Sequence, residues 1–330
     1  MTTDEGPTLH QLRCFVSVAD EGQFTAAADY LGIAQPSLSA QIGRLEQILG
    51  VDLFLRTHRP VALTDAGQAL LPIARRALGS IDDVVRAVAE VEDLQRGHVT
   101  VGATPSLGGT LLPRVLARFH EHHPKITLSV YERHSDDLAR QLENGSLDLA
   151  VAILPMRRGS LEHTVLAIEE LVVMVPADHP LAKQSEVRLE QLRDVPLIMF
   201  REGYNLRSAT LGAFERAGFA PQVALDGVEI SSVRAFVRAG IGAAVVPGIV
   251  AGTDPDVVVR PLISPSIERM IGLVLPASRP PSRSAAALIQ EITDFLQSGE
   301  WRHEGAVGFR LATDAARTPQ RQPETPKVRV

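Results

Sequence analysis

Residues 24–45 read FTAAADYLGIAQPSLSAQIGRL, two short helical patterns separated by a tight break. Gly32 stands at the break and tolerates the left-handed backbone that a sharp turn requires. Pro36 lies in the first turn of the second pattern, where its missing N–H does no harm. The stretch therefore predicts two helices joined by a tight turn. The first has an apolar stripe at helical spacing, formed by Phe24, Ala27, Ala28 and Leu31.

The second helix has one apolar and one polar face. Leu38, Ile42 and Leu45 form the apolar face. The opposite face carries short polar side chains and one cation, namely Ser37, Ser39, Gln41 and Arg44. Such a face suits the DNA major groove, where side chains read the donors and acceptors of base edges. The alternative is an ordinary helical hairpin within a larger core.

The flanking sequence decides between these two interpretations. Upstream, apolar residues recur at helical spacing from Leu9 to Ala19 and predict a further helix. Downstream, two strand-like runs at 53–55 and 61–63 enclose a basic tip at 56–60. Thr64 and Asp65 then offer N-caps for another helix. Three helices followed by a two-stranded wing predict a winged helix-turn-helix.

Residues 9–71 resemble the LysR-type transcriptional regulators, with correct spacing throughout. They read LHQLRCFVSVADEGQFTAAADYLGIAQPSLSAQIGRLEQILGVDLFLRTHRPVALTDAGQALL. The resemblance extends more weakly over residues 98–298. It implies a regulator in which a small inducer modulates promoter binding by a tetramer. The partners that it implies are double-stranded DNA with paired half-sites, a small-molecule effector, further copies of the chain and RNA polymerase.

The residues expected to contact DNA lie on the two helices of the motif and on the wing. Residues 1–65 contain four Arg and no Lys against eight acidic side chains, so the positive charge that meets DNA must be local. Hydroxyl groups, amides and helix N-termini would meet the remaining phosphates. Tight binding is then expected to need several DNA-binding domains. The expected contacts are Thr25, Gln35, Pro36, Ser37, Ser39, Gln41, Arg44, Arg56 and Arg59.

Residues 66–92 predict one long connecting helix, with Pro72 close to its start. Its apolar residues are spaced alternately four and three apart, which is typical of a coiled-coil seam. We expect this seam to find no partner in its own domain and to pair with a second copy of the chain. The alternative is a helix that lies on its own effector domain. The seam comprises Leu70, Ala74, Ala77, Ile81, Val84, Val88 and Val91.

From residue 98 onward, short strands alternate with helices, which predicts parallel sheets flanked by helices. One of these helices is expected at 105–120. By resemblance, this region is a two-lobed domain similar to periplasmic binding proteins, with lobe one at 98–165 and 268–298 and lobe two at 166–267. The fold class is α+β multidomain: an all-α winged helix-turn-helix at 1–65, a dimerisation helix at 66–95 and a two-lobed α/β effector-binding domain at 96–300. Residues 301–330 lose periodicity and become polar and Pro-rich, and we expect them to be disordered.

The expected effector site follows from the sheet. Ligands of parallel α/β sheets lie beyond the carboxyl ends of strands, at helix N-termini that attract anions. Thr104 and Ser106 follow the first strand and Ser135 follows the second, although each serine is also a suitable N-cap. Both serines match, by alignment with the family, positions that touch the effector. A small carboxylate or other anion is the expected ligand. Further candidates are Phe200, Arg201, Asn205, Glu229 and Ile230.

Other signals argue against catalysis. The sequence contains no nucleophile–base pair, no GxSxG, no HExxH and no P-loop, so we expect no catalytic residue, no metal and no cofactor. The histidines at 120–123 precede Pro124 and are interpreted as a helix terminus. The remaining alternatives are a non-regulatory small-molecule-binding α/β protein or enzyme, and an architectural DNA binder without an effector.

Composition sets the expected compartment. The single cysteine, Cys14, excludes an intramolecular disulfide and is expected to be a packed helix residue. No apolar run reaches the roughly 18–20 residues that span a bilayer. The acidic, polar start of the sequence is unlike a secretory signal. We therefore expect a cytoplasmic protein with no membrane partner.

Overall fold

The computed structural model describes residues 6–55, 61–92, 97–156, 161–277, 279–302 and 307–312. For residues 82, 83, 85–92 and 302 it describes the backbone alone. Arg56 and Arg59, the expected wing contacts, lie outside the described residues, as does the expected disordered tail from 313 to 330.

Three helices and a two-stranded wing form the N-terminal domain, as predicted. Phe15 is fully buried, and the rings of Phe15 and Phe24 pack against Phe54 with centroids 5.4 and 5.7 Å away. Cys14 is also fully buried, so the expectation of a packed residue is confirmed. The elements are α1 (Leu9–Glu21), α2 (Phe24–Leu31), α3 (Gln35–Leu49), β1 (Phe54–Leu55), β2 (Ala62–Leu63) and the connecting helix α4 (Asp65–Glu92).

The connecting helix packs partly on its own domain, which corrects one expectation. Ala74 is fully buried in the core of the N-terminal domain, and Leu70 and Ala77 pack against that core. The first half of the expected seam therefore does have a partner in its own chain. The N-terminal domain is small, and α4 packs on it as a fourth helix that covers its core. Outside that contact, Ile73 and Val84 are 53% and 59% exposed. The side chains of the last two seam residues, at 88 and 91, lie outside the described part.

The larger domain is built around one mixed sheet with the strand order β4-β3-β5-β12-β6-β11-β7, and β10 and β13 also pair with β6. Strands β8 and β9 form a separate parallel pair. The first elements are β3 (Gly97–Ala103), α5 (Pro105–Gly108), α6 (Leu111–His122), β4 (Ile126–Glu132), α7 (Ser135–Glu143), β5 (Leu149–Leu154) and β6 (Leu161–Pro176). The next are β7 (Val187–Arg188), β8 (Pro196–Phe200), α8 (Asn205–Arg216), β9 (Gln222–Val228) and α9 (Val233–Arg238). The last are β10 (Ala244–Pro247), β11 (Val257–Ile263), β12 (Glu268–Pro276), α10 (Arg283–Ser298) and β13 (Phe309–Leu311).

The helix expected at 105–120 is two helices. Helix α5 has only four residues, and the chain leaves helical geometry at Thr110 (φ −129°, ψ −74°) before α6 begins. Gly108 and Gly109 favour this interruption because glycine is a poor helix former. Helix α6 ends at His122, which confirms that the histidine run is a helix terminus.

One strand runs through both lobes. β6 pairs with β12 from Leu161 to Glu170 and then with β10 and β11 from Leu171 to Pro176. The apolar core of lobe two begins at Leu171 and that of lobe one includes Ala167. The two lobes therefore meet on a continuous piece of backbone, and a change in their relative angle must bend or twist β6.

Part of the expected disordered tail is ordered, which corrects the boundary at 301. Trp301 is 4% exposed, and its ring lies 4.4 Å from that of Phe309 within the core of lobe one. Strand β13 pairs antiparallel with β6 at Ala167–Glu169, and Glu170 N–H donates to Gly308 O at 2.8 Å. A three-residue strand is too short to show periodicity, so the sequence did not predict this ordered segment. Burial of the Trp301 and Phe309 rings holds it in place.

Truncation of Trp301 measures how much this C-terminal segment stabilises lobe one. We expect Trp301→Ala to lower the free energy of unfolding by about 3–5 kcal/mol, because it removes a large buried ring. Denaturant unfolding followed by circular dichroism measures the change. The control is Glu300→Ala, whose side chain is 49% exposed and paired with Arg118, and which should change stability by less than about 1 kcal/mol. Equal effects of the two variants would contradict the packed position of Trp301.

Candidate functional site

The turn between α2 and α3 brings the polar face of α3 to the surface. Gly32 has a φ of 66°, and its N–H donates to the carbonyl oxygens of Ala28 and Asp29. This is a left-handed C-cap that glycine adopts without strain. Helix α3 then begins at Gln35 with Pro36 in its first turn, so the predicted pair of helices with a tight turn is confirmed.

The residues expected to contact DNA are accessible in the part of the chain that the structure describes. Gln35 Nε2 donates to Ser39 Oγ at 3.2 Å, so these two polar groups are held together on one side of the helix. Leu38, Ile42 and Leu45 are buried on the other side. Thr25, Gln35, Pro36, Ser37 and Arg44 are exposed, and Ser39 and Gln41 are half-buried.

A buried carboxylate ties the wing to α3. Glu46 is 8% exposed, and its Oε1 accepts a hydrogen bond from Leu53 N–H at 2.8 Å. A buried charged group requires such partners, and this bond fixes the start of β1 relative to α3. Sequence reasoning counted Glu46 only as a negative charge, since nothing in its local pattern distinguishes it from a surface glutamate.

A cleft of about 760 Å³ lies between the two lobes, where β3 and β4 end. Parallel α/β sheets bind ligands at such an edge. The cleft contains Ser106, Arg201, Glu229 and Ile230 from the predicted set. Its other charged side chains are Glu132, Arg133, Asp137 and Arg234.

A smaller cavity of about 30 Å³ adjoins the cleft and is lined by three further predicted residues. It is lined by Thr104, Ser135 and Asn205, together with Ser106 and Arg269. Thr104 is 6% exposed, and its Oγ1 has no hydrogen-bond partner among the described residues. An unpaired buried hydroxyl costs about 1–3 kcal/mol, so a polar group that reaches the Thr104 hydroxyl in this cavity would be stabilised there.

Neither predicted serine caps a helix, so that alternative is wrong. The cap positions belong to Thr104 and His134, whose side chains make no capping bond. Ser106 Oγ instead accepts from Arg269 Nη2 at 3.0 Å. Ser135 Oγ donates to Ile153 O and accepts from Asn205 Nδ2, both at 3.2 Å. The bond to Asn205 links lobe one directly to lobe two.

Arg269 is the residue that sequence reasoning missed at the base of the cleft. Its Nε lies 2.7 Å from Oε2 of Glu169, its direct partner on the neighbouring strand. The side chains are 10% and 0% exposed. Glu169 Oε1 also accepts from Ile249 N–H at 2.7 Å. The sequence offers no sign of this pair, because the two residues are 100 positions apart.

Three side chains form a rim network on lobe two. Arg201 Nη1 lies 2.6 Å from Glu229 Oε1, and the Tyr204 hydroxyl donates to Glu229 Oε2. The bond from Tyr204 is the main cause that lowers the pKa of Glu229, and Arg201 lowers it further. Burial and then the bond to Glu229 raise the pKa of Tyr204. Tyr204 was not among the predicted residues, because a single tyrosine in a loop carries no pattern.

Phe200 does not line the cleft, which corrects its assignment. It is 1% exposed and belongs to the core of lobe two, where its ring stacks on Tyr204 with centroids 6.0 Å apart. Phe200 is the last residue of β8 and faces inward, whereas the rim network lies just beyond the strand. Its role at the site is therefore to support Tyr204 from behind.

Acid should weaken the rim network only below the ordinary pKa of a glutamate. Because the pKa of Glu229 is lowered in the folded chain from 4.5, its contribution to stability is complete above that pH and is lost as pH falls through the folded value. We expect the difference in melting temperature between the wild type and Glu229→Gln to stay constant from about pH 8 to about pH 5 and to shrink at lower pH. A difference unchanged down to about pH 3 would contradict an ionised Glu229.

Known proteins match this arrangement over nearly the whole chain. Residues 9–68 match the family model described as bacterial regulatory helix-turn-helix protein, lysR family, and residues 92–297 match the LysR substrate binding domain. The transcriptional dual regulator GltC of Bacillus subtilis is 33% identical over 295 residues, which is 88% of this chain and 98% of GltC. A probable nitrogen assimilation transcriptional activator of Synechococcus elongatus is 35% identical, over 86% of this chain and 94% of the relative.

Solved structures share the same architecture. A full-length OxyR variant from Pseudomonas aeruginosa is 28% identical with a TM-score of 0.67, over 87% of this chain and 98% of OxyR. Full-length CbnR in complex with its target DNA is 25% identical with a TM-score of 0.64, over 87% of this chain and 99% of CbnR.

Among the residues that the structure describes, none of the helices combines the length and apolar character needed to cross a lipid bilayer. The helix-turn-helix, the interlobe cleft and the matches over both regions agree on one family. The chain belongs to the LysR family of bacterial regulatory helix-turn-helix proteins and is a DNA-binding transcriptional regulator with an effector-binding domain rather than an enzyme.

Proposed function

We propose that this regulator responds to a small carboxylate bound between its lobes. The observation that carries the proposal is the buried hydroxyl of Thr104, which has no hydrogen-bond partner among the described residues and lines the same cavity as Arg269. A guanidinium offers several donors in one plane and binds carboxylates strongly where water is excluded. Ser106 and Ser135 add hydroxyl groups to the same cavity. A carboxylate in that cavity would accept a hydrogen bond from the Thr104 hydroxyl, which has no partner among the described residues.

The rim residues would then enclose the rest of the effector. Arg201 and Glu229 are about half exposed at the mouth, so they can exchange water for ligand at low cost. Ile230 is 9% exposed and lines both the cleft and the small cavity as an apolar wall. Asn205 already bridges to Ser135 across the lobes, so a ligand at this point touches both lobes at once.

Effector binding would alter DNA binding through the lobe angle. A ligand that contacts both lobes favours the conformation in which those contacts are made, and this shifts the population of lobe arrangements. The backbone that must respond is β6, which is shared by both lobes. Helix α4 packs against lobe one, since a Cβ on Gly79 would lie 3.3 Å from the carbonyl oxygen of Asn144. A movement of lobe one therefore reaches the helix that leads to the DNA-binding domain.

We infer the following organisation of the functional unit. Residues 1–65 bind the major groove through the seven described contacts on α2 and α3 and through Arg56 and Arg59. Residues 66–95 pair two chains, with the exposed Ile73 and Val84 as the apolar contacts outside the intramolecular packing. Residues 96–300 bind the effector. Two dimers form a tetramer on paired half-sites, and this unit contacts RNA polymerase. Several DNA-binding domains bound together compensate for the net negative charge of each domain.

Two glutamines on α3 test the DNA-contacting face. Gln41 lies on the proposed face, and Gln47 lies exposed near the other end of the helix. We expect Gln41→Ala to weaken binding to a duplex selected by the wild-type protein by roughly 5- to 100-fold, since a base contact is worth about 1–3 kcal/mol. The matched control, Gln47→Ala, should bind like the wild type at the same salt concentration. Equal affinities of both variants in fluorescence anisotropy would refute the assignment.

Removal of one hydroxyl tests the effector site. Thr104→Val keeps the shape of the side chain and removes an oxygen that has no partner among the described residues, so the stability of the protein without ligand should not fall. We expect affinity for small carboxylates to drop about tenfold, the effect of losing one charge-assisted hydrogen bond. Calorimetry with a panel of mono- and dicarboxylates measures this.

Thr293→Val is the matched control for that experiment. Its hydroxyl bonds to Ile289 O within α10, away from the cleft, and its loss should leave carboxylate binding unchanged. Binding of neutral or cationic metabolites alone, with none of the carboxylates, would overturn the proposed effector class.

A further inference from the structure

Charged side chains of both signs line the cleft, which narrows the class of effector. Its lining carries three guanidinium groups and three carboxylates. The Arg269 guanidinium at its base is already balanced by Glu169. A cleft without an excess of positive charge attracts a simple anion only weakly from a distance. The selective contacts must therefore be local, and they include an acidic one.

Glu132 supplies that acidic contact. The other two carboxylates of the lining are occupied, because Asp137 pairs with Arg140 and Glu229 pairs with Arg201. The carboxylate of Glu132 has no hydrogen bond or ion pair among the described residues, and Arg133 reaches only its main-chain oxygen, at 2.8 Å. Glu132 is the exposed last residue of β4, at the strand end that faces the cleft.

The position of Glu132 places its charge beside the proposed carboxylate cavity. A Cβ on Gly108 would lie 2.6 Å from Glu132 Oε1, so the carboxylate rests directly over the backbone of α5. Glu132 and Ser106 line the same cleft, and Ser106 also lines the small cavity. The charge of Glu132 also adds to the rise in the pKa of Tyr204, which places Glu132 close to the rim network on lobe two.

We propose that the effector is a free amino acid, and this proposal rests on the proposed carboxylate site. Its carboxylate occupies the small cavity at Thr104 and Ser106, and its ammonium group is held by Glu132. An ammonium has three donors and no acceptor, and a carboxylate is its strongest partner. A dicarboxylate of the same size brings a second negative charge against Glu132, and a plain amine leaves the hydroxyl of Thr104 unpaired.

The test compares matched ligands on the full-length protein. Isothermal titration calorimetry is run with the twenty standard amino acids. For each amino acid that binds, the carboxylate lacking the amine is also titrated, for example glutarate for glutamate or 3-phenylpropionate for phenylalanine. The expected result is that at least one amino acid binds about 10- to 100-fold more tightly than its matched carboxylate, the effect of a charge-assisted hydrogen bond.

Two variants and one control assign this preference to Glu132. Glu132→Gln should reduce the preference for the amine to within about threefold and leave the matched carboxylate binding as before. Gly108→Ala keeps the charge but displaces the carboxylate, whose flexible end can move, and should reduce the preference as well. Asp137→Asn removes an already paired carboxylate from the same cleft and should retain the full preference.

The outcomes separate this proposal from the one it rests on. If matched carboxylates bind the wild type as tightly as the amino acids, the proposed amino-acid effector is overturned, and the proposed carboxylate site is left intact. The same holds if carboxylates bind and no amino acid does. Preference for the amine that survives in Glu132→Gln overturns the role of Glu132. Binding of amines alone overturns both proposals, since the Thr104 cavity then holds no carboxylate.

Discussion

The buried ion pair between Glu169 and Arg269 is the constraint on which the two-lobed domain depends. Removing two charges from water is expensive, and the pair is compensated because both carboxylate oxygens of Glu169 and two nitrogens of Arg269 are hydrogen-bonded. Glu169 binds Arg269 and the main chain of Ile249, and Arg269 reaches Ser106 at 3.0 Å. Loss of one partner would leave a buried charge uncompensated, at a cost of about 3–5 kcal/mol. The pair therefore fixes the base of the cleft and the strands that cross between lobes.

The same pair makes the cleft sensitive to its contents. Arg269 lies near the start of β12, next to the strand that both lobes share, and it also donates to the Ser106 hydroxyl that lines the small cavity. A group that enters the cavity competes for that hydroxyl and for the free donors of the guanidinium. Strand β6, which both lobes share, is also held on the side away from β12. There β13 pairs with it at Glu169, and Arg310 Nη1 lies 3.6 Å from Glu170 Oε1. In the proposed site, lobe movement and cavity occupancy would be coupled through these few bonds on one strand.

Local patterns explain which predictions from sequence succeeded. Helix-turn-helix geometry depends on residues within a few positions of each other, such as Gly32 in its left-handed conformation and Pro36 in the first helical turn. Part of the lining of the cleft and of its adjoining cavity was predicted, since Ser106 and Ser135 follow strands whose ends must meet at one sheet edge. Arg269, Tyr204 and Glu132 escaped prediction. Arg269 owes its role to a partner 100 residues away, and the other two are single polar residues without a repeating neighbour.

The sequence by itself determined the family, the helix-turn-helix and the alternation of strands and helices, because each depends on the spacing and capping of residues close together in the chain. Only the tertiary structure decided which charges meet. It showed that the first half of the α4 seam packs on its own domain, that Phe200 supports the cleft from behind, and that Trp301 and Phe309 belong to the core of lobe one. These positions depend on burial and on contacts between residues far apart in the sequence, and the local sequence pattern predicts neither.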